Sequence, residues 1–236
     1  MDFTEIKTIT VKEQFIASVE NAILSGELRV GEKLPSEREL AAQMKISKTA
    51  VHSGIADMTR KGFLEVIPRK GVFVGDYAKN GTLEALTSIM HHSGKQLDPR
   101  TVNSVLEMRY AIESVAIERV VAIHDEAVIC HLHTLLQAAE KEAEAVPVNA
   151  QSLAELYFTF HHYICTVSGN SIAPLILNAF KVPAVRFWAN SVVSLGSAQS
   201  IQRLSVFVDM IEKGDAAGAC AHLKEISYNC AQIVRG

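Results

Sequence analysis

Few aromatic residues, no excess of either charge and no long apolar run characterise this 236-residue sequence, in which aromatics are 6% and the net charge is −3. No apolar run reaches the roughly 18 residues of a membrane-spanning helix. The N-terminal residues include Asp2 and Glu5 and lack the apolar core of a secretory signal, so we expect a cytoplasmic protein without a membrane partner. The small net charge excludes a basic coat for nucleic acid but leaves room for a local basic face.

Cysteine pairs and enzyme motifs are also missing. The four cysteines have no C-x-x-C spacing and are predicted to be reduced core residues: Cys130, Cys165, Cys220 and Cys230. There is no G-x-G-x-x-G, P-loop, G-x-S-x-G or H-E-x-x-H motif. The histidines of His161-His162 and of His131-x-His133 do not share a helix face, which disfavours a hydrolytic metal site. We therefore predict no enzyme and no cofactor.

Charge and glycine divide the chain into two unequal parts. Residues 1–76 hold 11 Lys+Arg and 11 Asp+Glu, whereas residues 77–236 hold 12 and 15. Glycines crowd the end of the first part, and a polar stretch follows them. We predict a first domain over residues 1–76, a linker over 77–82 and a second domain over 83–236.

The first part predicts three helices followed by a hairpin. Apolar residues recur at helical spacing from Val11 to Ile23. Ser36 with Glu39 forms a capping box for a second helix, and Ser47 caps a third that ends at Gly62. Two short extended runs, 63–67 and 72–74, enclose the turn Pro68-Arg69-Lys70-Gly71. This order is typical of a winged helix-turn-helix, whose second paired helix enters the DNA major groove.

Donor side chains fall where this fold contacts DNA. Lys48, Thr49 and His52 lie away from the apolar face of the third helix, or at its edge, and can reach phosphates or base edges. Arg38 opens the preceding helix, and the hairpin tip carries Arg69 and Lys70. The alternatives are a protein-contact module and a merely solvated charged face. The ordered combination of caps, glycines and basic tip favours DNA.

The same residues resemble a known family. The segments Leu34-Pro35-Ser36-Glu37-Arg38-Glu39-Leu40-Ala41, Ile46-Ser47-Lys48-Thr49-Ala50-Val51 and Pro68-Arg69-Lys70-Gly71-Val72-Phe73-Val74 are similar to the signature of the GntR family of bacterial transcription regulators. The resemblance covers nearly all of residues 10–76. It implies DNA contacts from Arg38, Ser47, Lys48, Thr49, His52, Arg69 and Lys70. Lys48 and His52 stand where many members carry arginine, which implies a different operator sequence.

The second part predicts only helices. Apolar residues recur at helical spacing from about Thr82, without a strand pattern, and a break is expected at Pro183. Six or seven helices result, so we predict a mostly α protein whose C-terminal domain is an antiparallel bundle with room for a ligand cavity.

This bundle resembles the C-terminal domain of the FadR subfamily of GntR regulators. The similarity rests on Leu106-Glu107-Met108-Arg109, on Phe160-His161 followed by Ser168-Gly169-Asn170, and on Ile211-Glu212-Lys213-Gly214-Asp215. It implies a homodimer that binds a short, nearly palindromic operator. It also implies an effector that changes the spacing of the two DNA-binding heads.

Many members of the subfamily bind a divalent metal through one aspartate and three histidines. By that resemblance His161 keeps its place, but Tyr157, Leu204 and Ile226 replace the other three ligands. One imidazole cannot hold a labile divalent ion, so we predict no metal. His222 lies one turn before Ile226 and supplies a ligand only if the register is shifted. A metal-dependent regulator that senses a small organic acid is therefore the alternative.

Metal-free members of the subfamily respond to fatty acyl-CoA, and an apolar cavity suits such a ligand. The candidates for binding its acid or thioester head are Arg109, Tyr157, His161, Arg186 and Tyr228. Structural roles compete with this one. Arg109 can instead pair with Glu113, His161 can be a hydrogen-bonded core residue, and Tyr157 and Trp188 can simply pack. We predict an effector that is a fatty acid, an acyl-CoA or another carboxylate with an apolar part.

Overall fold

A computed structural model describes residues 9–92 and 99–235. The chain forms two compact units, residues 1–92 and 93–236. The described residues of the first unit contain a helix-turn-helix (α2 and α3), a hairpin and three further helices: α1 Val11–Leu24, α2 Glu37–Met44, α3 Lys48–Lys61, β1 Leu64–Ile67, β2 Gly71–Val74, α4 Tyr77–Asn80 and α5 Leu83–His92.

The predicted caps of α2 and α3 are confirmed. The Ser36 hydroxyl accepts from the Glu39 backbone N–H at 3.3 Å, and the Glu39 carboxylate accepts from the Ser36 backbone N–H at 2.8 Å. The Ser47 hydroxyl accepts from the Ala50 N–H at 3.1 Å. Gly62 ends α3 with φ 90°, a left-handed conformation that glycine adopts without a steric cost. These local signals fix the start of both helices and the end of α3.

The hairpin forms the wing of the fold. β1 and β2 pair antiparallel from Leu64 opposite Val74 to Ile67 opposite Gly71, and Lys33 adds an antiparallel bridge to Phe73. Arg69, at the tip, has φ 63°. Phe15, Val51, Met58 and Phe63 fill the core between the helices and the wing, each 1% exposed or less.

Helix α5 belongs to the first unit, although we predicted that the second domain begins at residue 83. The Arg60 guanidinium donates to both carboxylate oxygens of Glu84 at 2.7 Å, and the Lys61 ammonium donates to Ser88 at 2.9 Å. Ala85 is buried in the core of the same unit. The predicted linker, residues 77–82, contains α4. The sequence spacing showed that a helix begins here, but not which unit buries its apolar face.

The second unit is a bundle of seven helices within the described residues 99–235: α6 Pro99–Ile123, α7 Glu126–Ala143, α8 Ala150–Val167, α9 Ala173–Ala179, α10 Lys181–Leu195, α11 Ser197–Glu212 and α12 Ala216–Arg235. Helix α8 lies at the centre and packs against α6, α7, α9 and α10. Its residues Leu153 and Phe160 are fully buried. The mostly α fold is confirmed.

The break predicted at Pro183 is misplaced. The helix is interrupted at Phe180, between α9 and α10, and Pro183 lies buried in the first turn of α10. The first backbone N–H groups of a helix have no intrahelical acceptor, so a proline costs little there.

The cysteine prediction holds for Cys165 and Cys220, which are buried. Burial raises the pKa of the Cys165 thiol to about 12. Cys130 is exposed, contrary to the prediction, because α7 turns Leu132 and Leu136 to the core and Cys130 away from it. The side chain of Cys230, and Asp2 and Glu5, lie outside the described residues. No helix in the described ranges is long and apolar enough to cross a membrane.

Candidate DNA-binding surface and effector cavity

The outer face of α3 is polar and exposed. Lys48, Thr49 and His52 are all exposed, whereas Val51 and Ile55 on the opposite face are at most 3% exposed. The side chains at the N-terminal half of α3 are therefore free to meet a DNA groove.

The other proposed DNA contacts surround this face. Arg38 is exposed on α2, and Ser47 is exposed at the N-cap of α3. Arg69 and Lys70 are exposed at the wing tip, where they line a groove together with Ser36, the N-cap of α2, and Glu37, its first residue. All seven proposed DNA-binding residues thus lie on the surface of one unit.

A carboxylate reaches the same surface. Glu37, the first residue of α2, places Oε1 2.8 Å from Nδ1 of His52. The His52 side chain is 72% exposed and that of Glu37 is 26% exposed. This contact ties the start of α2 to the exposed face of α3.

The second unit contains a small cavity of about 40 Å³ between four helices. Five lining residues carry polar groups and five are apolar. The polar ones are Tyr157, His161, Ser191, Ser200 and Arg203, and the apolar ones are Trp188, Leu204, Phe207, Leu223 and Ile226. By volume it holds about three water molecules.

Beside the cavity lies a buried ionic cluster, which we call the Arg109–Glu113–His161 cluster. Arg109 Nη2 lies 2.7 Å from Glu113 Oε1, and His161 Nδ1 lies 2.7 Å from Glu113 Oε2. Arg109 and Glu113 are 2% and 1% exposed. The Arg109 guanidinium also lies 4.4 Å from the Trp188 ring centre. The predicted alternative for Arg109, an ion pair with Glu113, is therefore present.

Glu113 stays ionised although it is buried. Burial raises the pKa of Glu113, but the positive charge of Arg109 and the contact with His161 outweigh burial and hold the pKa at about 2. His161 stacks on Trp188, with ring centres 5.0 Å apart and planes 15° apart. Because Glu113 occupies Nδ1, the nitrogen of His161 left for a ligand is Nε2.

Two of the polar groups that line the cavity are the Tyr157 hydroxyl and the Arg203 guanidinium. Burial raises the pKa of the Tyr157 hydroxyl, so it stays protonated, and the neighbouring Ser200 hydroxyl offsets only part of that rise. Within the described part of the chain, no group makes a well-aligned hydrogen bond to this buried hydroxyl. Arg203 is half-buried, and no carboxylate of the described residues lies within ion-pair distance of it.

The structure separates the five proposed effector-binding residues. Tyr157 and His161 line the cavity, and Arg109 lies behind them in the cluster. Arg186 is half-buried two positions before Trp188, on another side of α10, and is not part of the cavity lining. Tyr228 is 66% exposed in a separate groove between α6 and α12. The prediction for these last two residues placed them too far inside the bundle.

Sequence reasoning missed Arg203, Ser200 and Phe207. Together with Leu204 they follow the spacing i, i+3, i+4 and i+7, so one face of α11 lines the cavity. The sequence contains that spacing. The spacing shows that these residues share one face of α11, but it does not show that this face lines a cavity.

The four positions that the sequence analysis compared with a metal site lie together in the structure. Tyr157, His161, Leu204 and Ile226 all line the same cavity. His222 Nε2 lies 2.9 Å from the Arg203 backbone carbonyl, so this nitrogen is a donor to the backbone. Across the described ranges, no group of three or more His, Cys, Asp or Glu side chains could hold a metal ion.

A winged helix-turn-helix with an exposed basic face, joined to a helical unit that encloses a polar-edged cavity, defines a transcription regulator with a sensory domain. Comparison with known families agrees. Residues 11–74 match "Bacterial regulatory proteins, gntR family", and residues 104–227 match the FCD domain. The chain belongs to the GntR family and carries an FCD effector-binding domain.

Several curated relatives are transcription regulators. The HTH-type transcriptional regulator Mce2R of Mycobacterium tuberculosis is 25% identical over 89% of this chain and 85% of its own length. The Glc operon transcriptional activator of Escherichia coli is 26% identical over 69% of this chain and 62% of its own. The fatty acid metabolism regulator protein of Edwardsiella ictaluri is 28% identical over 64% and 59%.

Solved structures show the same fold. Lar, which controls the expression of the Listeria monocytogenes agr system, superposes with a TM-score of 0.65 at 14% identity, over 98% of this chain and 99% of its own. A GntR family member from Pseudomonas syringae has a TM-score of 0.51 at 17% identity, over 94% and 84%.

Proposed function

We propose that this protein is a cytoplasmic, homodimeric regulator that binds a nearly palindromic operator through its winged helices and releases or tightens it when an effector binds in the FCD cavity. The observation that carries the DNA-binding part is the exposed set of Lys48, Thr49 and His52 on α3, near the basic wing. A two-fold dimer presents two equivalent reading heads, which requires a symmetric operator.

The DNA-binding part predicts a salt effect. Lys48→Ala and Arg69→Ala should each weaken operator binding and reduce the slope of log K against log salt by about one. The operator is first selected from randomised duplex DNA, and affinities are then measured by fluorescence anisotropy between low and physiological salt. Lys213→Ala, an exposed lysine of the second unit, is the matched control and should leave affinity and slope unchanged. Two variants that bind like the parent at every salt concentration would mean that the DNA face lies elsewhere.

For the effector, we infer a carboxylate with an apolar part. The Tyr157 hydroxyl and Arg203 can donate to the acid group, while Leu204, Leu223 and Ile226 supply apolar contacts. The Arg109–Glu113–His161 cluster supports this choice. Arg109 and Glu113 compensate each other's charge, so Glu113 does not present an unpaired negative charge beside the cavity that would repel an anion.

The volume of the cavity favours a compact acid. Sites for drug-sized ligands occupy roughly 300–1,000 Å³, whereas this cavity occupies about 40 Å³. A fatty acid or acyl-CoA therefore requires the helices to open. The similarity to fatty acid metabolism regulators supports such a ligand. The similarity to the Glc operon activator does not distinguish a compact acid from a fatty acid or acyl-CoA. A metal-dependent organic-acid sensor has less support. Of the four positions compared with a metal site, only position 161 carries histidine, a common metal-ligating residue.

The effector experiment separates these ligands. Native mass spectrometry and a metal assay on the purified protein come first, followed by thermal shift with butyrate and with palmitoyl-CoA in EDTA. We expect butyrate to raise Tm, and Arg203→Gln to weaken its binding about tenfold or more, as expected for a lost charge-assisted hydrogen bond. Arg119→Gln, an exposed arginine of α6, is the control. Stabilisation by palmitoyl-CoA alone would favour an opened cavity, and stoichiometric metal lost in His161→Ala would favour the metal-dependent alternative.

A further inference from the structure

One acidic side chain lies on the proposed DNA-binding surface and the proposed contacts do not explain it. Glu37 directly precedes Arg38 in α2 and reaches across to His52 of α3. A carboxylate that faces phosphates is repelled by them, so its presence on such a surface needs a compensating role. Its half-buried position and its contact with His52 identify that role.

The contact fixes the hydrogen-bonding state of the histidine. An ionised carboxylate only accepts hydrogen bonds, so Glu37 Oε1, 2.8 Å from Nδ1, requires a proton on Nδ1 of His52. In a neutral ring, the other nitrogen, Nε2, is then an acceptor. The His52 side chain is 72% exposed, so this acceptor is accessible to DNA.

The position of His52 on α3 places that acceptor beside the bases. His52 is the fifth residue of α3 and lies one turn beyond Lys48 on the same face. The N-terminal residues of a recognition helix contact base edges in the major groove. There, an acceptor can bind only the exocyclic amino group of adenine or cytosine, because guanine and thymine present acceptors.

We propose that His52 reads an adenine or cytosine amino group in each operator half-site through Nε2, and that Glu37 is a positioning residue that holds the ring for this contact. The proposal rests on the proposed function, since it requires operator binding by α3.

The test uses the full-length protein and duplex DNA selected from a randomised pool at pH 8. Operators that each carry one changed base pair in a half-site are then made. Their affinities are measured and ranked separately for the parent protein and for the Glu37→Ala, Glu37→Gln and His52→Ala proteins. We expect His52→Ala and Glu37→Ala to lose discrimination at the same base pair, by roughly five- to tenfold. Glu37→Gln retains an acceptor for Nδ1–H and should retain most of the discrimination.

Controls separate this role from a structural one. Lys70→Ala, at the wing tip, should lower affinity for all sequences without changing their rank. Thermal melting of each variant shows whether the first unit remains folded. A Glu37→Ala variant that loses affinity equally for every base pair would overturn the positioning role. Equal parent affinity for duplexes that keep or lack the amino group at the affected base, with purine in place of adenine or 2-pyrimidinone in place of cytosine, would overturn the acceptor assignment. A parent protein that selects no sequence at all would instead overturn the proposed function.

Discussion

Replacing Glu113 by alanine is expected to lower the free energy of unfolding by about 3–5 kcal/mol. The substitution leaves Arg109, which is 2% exposed, without its carboxylate, and leaves Nδ1 of His161 without an acceptor. A buried charge that has lost its partner costs far more than an exposed one. Urea unfolding of the full-length protein, followed by circular dichroism, measures the change.

A matched control and a pH series identify the cause. Glu212→Ala removes an exposed carboxylate that pairs with His133 at 3.1 Å, and should cost about 1 kcal/mol or less. The pKa of Glu113 falls from 4.5 to about 2 in the folded protein. Its charge therefore stabilises the fold above pH 4.5, and this contribution is lost as the pH falls toward 2. A Glu113→Ala variant as stable as the Glu212→Ala variant at neutral pH would show that the cluster contributes nothing to folding.

Local chemistry explains why the first unit was predictable in detail. The capping serines, Ser36 and Ser47, and the left-handed Gly62 act on their own neighbours, so their sequence context determines where α2 and α3 begin and where α3 ends. The exposure of Lys48 and His52 also follows from helical spacing alone. The contact between Glu37 and His52 spans 15 residues and two helices, and no local pattern reveals it.

The second unit shows the limit of periodicity. The spacing predicted its helices and placed Tyr157 and His161 on one face, and both line the cavity. It did not show how α10, α11 and α12 are rotated about their axes. Arg203 was therefore missed, whereas Arg186 and Tyr228 were placed inside a cavity that they do not line. The same limitation applies to α5, whose buried face could be assigned to a unit only from its tertiary contacts.

The buried cluster raises the question of whether it serves stability or effector binding, and an apolar replacement distinguishes the two. We expect the triple variant Arg109→Met, Glu113→Leu and His161→Phe to unfold with a free energy equal to or above that of the parent. Well-packed apolar groups of similar volume avoid the desolvation cost of three buried polar groups. Operator binding without effector should match the parent, because all three substitutions lie in the second unit.

The response to the effector should be lost in the same variant. His161 lines the cavity and its Nε2 is left free by the contact of Nδ1 with Glu113, whereas phenylalanine has no ring nitrogen for a ligand. We expect at least tenfold weaker carboxylate binding and no effect of the ligand on operator affinity. Calorimetric titration and operator anisotropy with and without butyrate measure both. A triple variant as unstable as Glu113→Ala would show that the ionic contacts themselves hold α6 against α8, whereas a stable variant that still responds would place the effector outside this cavity. A stable variant without a response would mean that the cluster is retained for sensing, at no benefit to the fold.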